Sequence, residues 1–394
     1  MQTEMTKEIY LDNSATTPLS AAAENAMREA MTCYGNPSSL HMAGQRSKKL
    51  LEESREKILA CLGVRQRQGE LIFTSCGTEA TSTALLGCAF AKERREASVI
   101  LTTDSEHPAT MRALEHLEKK GFEVIKIATR GGVLDIDGVK RILADSSKKI
   151  FMASFMLVNN ETGALYRVGE AFKEIKKKHP SAITHCDAVQ GFMRVGFTPS
   201  SISADLISIS GHKIHAPKGV GALYISPELI KAKKIVSYLC GGGQEKGMRS
   251  GTENIIGISA FAAAAHDMRV RSGEISEKLS SLYAYADERL SVLDVRINIP
   301  LGDKVSHIIN ITLPSIKSET MLHFLSGRGI YVSSGSACSS HSRKTSSALL
   351  AFGLNEREAD CSIRVSLSEY NTKEDIDALC EALRQGIDTL VRIR

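Results

Sequence analysis

Over the first two-thirds of the chain, short apolar runs rich in β-branched residues alternate with longer stretches in which apolar positions recur at helical spacing. The runs predict strands at 71–74, 99–102, 123–127, 150–155, 182–186, 205–208 and 221–225. Such alternation is how a parallel sheet with crossover helices is written. From 258 to about 290 the pattern is long and helical, with Gly273 the main breaker. Strands are then expected at 295–299 and 307–313, a short helix at 318–325, strands at 330–333 and 363–367, and a closing helix from Lys373 with Thr372 as its N-cap. The fold class is therefore α/β: a large unit with a mostly parallel central sheet flanked by helices, and a smaller α/β unit. Ligands of such sheets bind beyond the carboxyl ends of the strands, so the residues just after each strand are the candidates for chemistry.

Composition narrows the classes. At 394 residues, with 42% hydrophobic and 24% charged residues, the chain reads as an ordinary compact protein. An excess of 50 Lys+Arg over 45 Asp+Glu is small for this length and gives no reason to expect direct nucleic-acid binding. The densest basic run, Lys173 with Lys176, Lys177 and Lys178, shares its segment with Phe172 and Ile175, as the outer face of an amphipathic helix does. Nine cysteines stand at 33, 61, 76, 88, 186, 240, 338, 361 and 380 without a CxxC pair, so neither a metal site nor a disulfide framework is expected. The longest apolar stretch, around 255–265, is too short for a bilayer, and the expected location is the cytoplasm.

Five segments after strands carry chemistry. Ser208-Ile-Ser-Gly-His-Lys213 places a lysine in a loop of small residues, where an amine can form a Schiff base and Ser210 and His212 can donate to a phosphate. Cys76-Gly77-Thr78-Glu79 opens an Ala/Leu-rich helix whose first amides, with the Thr78 hydroxyl, suit the same phosphate, although an N-cap by Thr78 explains it equally. His107, before Pro108, can stack on a ring and exchange protons near neutrality, or be structural. Asp187 can pair with a protonated pyridine nitrogen while Gln190 reaches a phenolic oxygen, or it can form a turn. Asn160 can bond the same oxygen and a substrate carboxylate, or close a turn.

With Tyr10-Leu-Asp-Asn-Ser-Ala-Thr-Thr-Pro18, Gly35-Asn-Pro-Ser-Ser-Leu-His41, Gly241-Gly-Gly-Gln-Glu-Lys-Gly-Met-Arg-Ser-Gly-Thr252, Ser333-Ser-Gly-Ser-Ala-Cys338-Ser and Ser362-Ile-Arg364-Val-Ser-Leu, these segments resemble the NifS/IscS type of cysteine desulfurase. That group lies within the class V aminotransferases of fold-type I, which depend on pyridoxal 5'-phosphate. The resemblance implies Lys213 as Schiff-base lysine, Thr78, Ser210 and His212 around phosphate, Asp187 at the ring nitrogen, Gln190 and Asn160 at the phenolic oxygen, and His107 over the ring. It implies a homodimer in which Thr252 reaches the partner's phosphate. It also implies a cofactor-binding unit at 14–262 and a smaller unit from 1–13 and 263–394 that carries the catalytic cysteine.

Cys338 decides the reaction. Small residues around it suit a travelling nucleophile whose thiolate attacks the sulfur of bound L-cysteine and carries it off as a persulfide, with L-alanine released. Arg364 suits the α-carboxylate, which a guanidinium grips through two parallel hydrogen bonds. The acceptor is expected to be an iron-sulfur scaffold, a tRNA-thiolation relay or another carrier protein. Rivals are a class V aminotransferase, a selenocysteine lyase and a non-catalytic scaffold for sulfur-trafficking partners.

Overall fold

The computed structural model describes residues 8–65, 68–91, 98–334 and 345–392. Cys338, in 335–344, lies outside the described residues. All seven strands expected in the first two-thirds form, and they make one sheet in the order Glu70–Thr74, Gly221–Ile225, Leu206–Ser210, Ile183–Asp187, Ile150–Met156, Val99–Thr103, Glu123–Ile127. Only Gly221–Ile225 runs against the rest. Ile150–Met156 is buried at every position, which is why it reads as a continuous apolar run and not as an alternating one.

Helices cover both faces. Ile255–Val270, apolar nearly all round and rich in alanine, is sandwiched against Ala21–Ala30 and Met42–Cys61; small side chains let the three approach closely. The long helical pattern after 258 proves to be two helices, Ile255–Val270 and Ser272–Ser291, broken at Arg271. There the guanidinium bonds back to Asp267 and forward to Glu274, beside Gly273.

A second sheet is antiparallel throughout, in the order Ser333–Ser334, Ser362–Ser366, Ile308–Thr312, Arg296–Ile297. The strand expected at 330–333 divides: Ile330–Tyr331 pairs instead with Ile9–Tyr10, and only Ser333 and Ser334 join the antiparallel sheet. The closing helix Lys373–Thr389 begins at Thr372, as expected, with a full capping box to Asp375. An isolated bridge between Asp12 and Ser366 brings the amino-terminal segment alongside the strand that carries Arg364. Among the described residues no helix is long and apolar enough to cross a membrane.

Candidate active site

Parallel strands end at one edge, and the site is built on that edge. Leu206–Ser210 delivers Ser210 as its last residue and passes into a single turn, Gly211–Lys213. The Lys213 amine donates to the carbonyls of Ser14 and, at 2.8 Å, Ala15, so the amino-terminal segment lies directly over it. Asp187 closes the neighbouring strand. The residue is 7% exposed, and its Oδ1 accepts the Val189 N–H at 3.0 Å. Burial pushes Asp187 up to about 6, while the Val189 N–H and the charge of Lys213 pull the other way. A buried carboxylate of this kind is completed by a cationic hydrogen-bond donor.

Gly77 opens the helix Gly77–Ala91. A Cβ there would meet Val189 Cγ2 at 2.8 Å and Ser210 Cβ at 3.3 Å, so only glycine lets this helix start so close to Ser210. Ser210 Oγ is buried without a hydrogen-bond partner. An unpartnered hydroxyl beside a helix amino terminus fits an anionic oxygen. Thr78 is exposed and falls inside the first helical turn, which removes the simple N-cap explanation. His212 Nδ1 lies 3.3 Å from the Thr16 hydroxyl, and burial followed by the charge of Lys213 lowers its pKa to about 4.

His107 corrects one sequence expectation. Its Nδ1 accepts the Ala109 N–H at 3.1 Å and caps the helix Pro108–Glu118. Burial, with the charge of Lys213, lowers its pKa to about 4, so titration near neutrality does not hold. The ring is a neutral imidazole whose lone pair on Nδ1 is used by the Ala109 N–H, so its hydrogen is on Nε2, which is left to donate.

Gln190 Nε2 donates to the Ser14 carbonyl at 2.9 Å, the same oxygen that Lys213 meets. Asn160 offers its backbone carbonyl to Arg364 Nη1 at 2.8 Å, and Arg364 Nη2 pairs with Asp12 Oδ1 at 2.7 Å. Arg364 Nε is buried and unpartnered. The antiparallel sheet thus supplies one guanidinium, tied to the segment that also covers Lys213. Thr252 is not brought to this cluster; it is exposed and lines a small cavity with Thr74, Ser75 and Arg249.

Several participants escaped the sequence. Asp12 carried no signal of its own, since its partner Arg364 is 352 positions away. Glu106 is buried beside His107; Oε1 accepts from the Thr103 hydroxyl at 2.7 Å and the Met156 N–H at 2.8 Å, and Oε2 has no partner. Burial pushes Glu106 up to about 8 against those two bonds, and the charge of Asp187 adds to the rise. His185, fully buried and on the same strand face as Asp187, bridges the Ser154 and Ser208 hydroxyls at 2.8 and 2.9 Å, and burial lowers its pKa to about 3. Glu161, next to Asn160, accepts the Ser346 hydroxyl at 2.7 Å. Burial pushes Glu161 up to about 7, opposed by that bond and by Arg364.

Residues 9–379 match the family model described as aminotransferase class-V. A cysteine desulfurase IscS from Dictyoglomus turgidum is 37% identical over 392 residues, covering 98% of this chain and 96% of its own. A cysteine desulfurase from Trichormus azollae is 35% identical over 387 residues, covering 97% of this chain and 93% of its own. Among solved structures, a NifS-like protein superposes with a TM-score of 0.89 at 32% identity, covering 98% of this chain and 100% of its own.

Proposed function

The chain belongs to the aminotransferase class-V family and stands with the cysteine desulfurases within it, and from that premise we propose how its residues take sulfur from L-cysteine and release L-alanine. The observation that carries the reading is one amine and one buried carboxylate, Lys213 and Asp187, just past and at the ends of neighbouring parallel strands, with the unpartnered Ser210 Oγ beside the start of the helix Gly77–Ala91. These groups fit pyridoxal 5'-phosphate, which when bound supplies a carbonyl carbon for amines and a ring that accepts electrons.

Lys213 holds the cofactor and moves the proton at the substrate Cα. Asp187 sets its charge against the ring nitrogen and favours the protonated form. Gly77, Thr78, Ser210 and His212 hold phosphate; Gln190 and Asn160 serve the phenolic oxygen; His107 covers the ring and donates a proton through Nε2. Arg364 receives the α-carboxylate, with Asp12 and the Asn160 carbonyl aiming its guanidinium. The Cys338 thiolate attacks the substrate sulfur, the carbon–sulfur bond breaks, and the carbon keeps the electron pair and is protonated to give alanine. The sulfur stays on Cys338 as a persulfide for an acceptor protein, an iron-sulfur scaffold or other carrier.

Residues 14–262 form the cofactor-binding unit in this reading, and 1–13 with 263–394 the smaller one. The working form is a homodimer: Tyr34, Leu40 and Met42 are 85%, 92% and 72% exposed, an apolar surface suited to a second copy, and Thr252 serves that copy's phosphate. The test is Cys338→Ser. Alanine formation from cysteine is expected to fall to background; undiminished alanine formation overturns the persulfide route.

A further inference from the structure

Arg194, His215 and Glu369 come from three separate stretches and meet in the interior, their side chains 4%, 1% and 2% exposed. Arg194 Nη1 donates to Glu369 Oε2 at 3.0 Å, and Nη2 lies 3.2 Å from His215 Nε2. His215 Nδ1 stands 3.0 Å from the Pro18 carbonyl. A carbonyl only accepts, so the hydrogen is on Nδ1 and Nε2 is the lone pair that Arg194 meets. The Tyr370 ring closes on the imidazole edge-on at 4.9 Å.

Each member is continuous with a segment of the site. Arg194 belongs to the turn that follows Asp187 and Gln190. His215 stands two residues beyond Lys213, with φ at +64°, a left-handed conformation that its surroundings must hold. Its N–H donates to Thr17 Oγ1 at 2.7 Å, and the Thr17 N–H donates to the His212 carbonyl at 2.9 Å. Glu369 follows the strand Ser362–Ser366 that carries Arg364. A buried ion pair adds little net stability against apolar replacements, but it admits few geometries.

We infer that Arg194, His215 and Glu369 are positioning residues, a buried clasp that holds the Lys213 segment in register with the strand of Arg364 and so sets the span across which one amino acid is received by its amine and its carboxylate. The inference rests on reading Lys213 and Arg364 as serving the same substrate. Two variants of the full chain test it. Arg194→Met with Glu369→Leu removes both charges together, leaving none unpaired; His215→Asn keeps a residue that tolerates the left-handed conformation but falls short of Arg194. KM and kcat for cysteine are measured with pyridoxal phosphate bound, and hydrogen exchange over residues 211–217 is measured without it.

The double variant is expected to raise KM about tenfold with a much smaller change in kcat, and His215→Asn about threefold, with faster exchange over 211–217 in both. KM and exchange unchanged in His215→Asn overturn the clasp, whether or not the double variant folds. If the unaltered protein makes no alanine, the desulfurase reading fails by itself, and the exchange measurement still judges the clasp.

Discussion

The two sheets contribute to the site in different ways. In the seven-stranded sheet the parallel strands deliver their carboxyl ends to one edge, and Asp187, Ser210 and Lys213 arrive there by chain direction alone. In the antiparallel sheet the ends alternate, and Arg364 is instead a mid-strand residue aimed by two contacts from outside its sheet, Asp12 and the Asn160 carbonyl. In the proposed reading, chain direction places the groups that would hold the cofactor, whereas long-range polar contacts place the guanidinium that would receive the substrate.

That comparison is sharpened first on the parallel side. Asp187→Asn keeps the shape and removes the charge, and turnover is expected to fall about 10²-fold, with kcat carrying most of the loss. A loss confined to KM would mean that the carboxylate positions substrate and does not act through the ring. On the antiparallel side, Arg364→Lys keeps the charge but loses the planar fork, and KM for cysteine is expected to rise about tenfold with kcat less affected. Equal losses in kcat for both variants would erase the division of labour.

A third prediction, on stability and not on turnover, concerns Glu106, behind the parallel edge. Its folded-state value of about 8 lies above the ordinary 4.5, so its proton stabilises the folded chain fully below 4.5, and this contribution is lost as pH rises toward 8. Glu106→Gln removes that dependence. Between pH 4.5 and 8 the unfolding free energies of variant and parent are expected to diverge in the variant's favour, by up to about 1.4 kcal/mol per pH unit. Denaturant titrations that stay parallel across this window would show that Glu106 is ionised in the folded chain.

The same contrast explains what the sequence disclosed. Buried strands read as apolar runs, so the strands of the parallel sheet and the residues after each of them could be found without coordinates. Arg364 was legible only through its motif, and its pairing with Asp12 not at all, because a contact across 352 positions leaves no local pattern. The break at Arg271 was hidden for a related reason: the arginine's bonds to Asp267 and Glu274 fix a kink that helical periodicity does not encode. His107 shows the limit of ordinary pKa values, since burial and Lys213 removed its titration from neutrality.

One amine and one thiol acting on a single bound molecule is the central claim, and mass analysis of the intact protein after brief exposure to L-cysteine tests it most directly. The account predicts one added sulfur atom on the peptide containing Cys338, and none there in a Lys213→Ala variant treated identically. Alanine produced while Cys338 stays unmodified would contradict it.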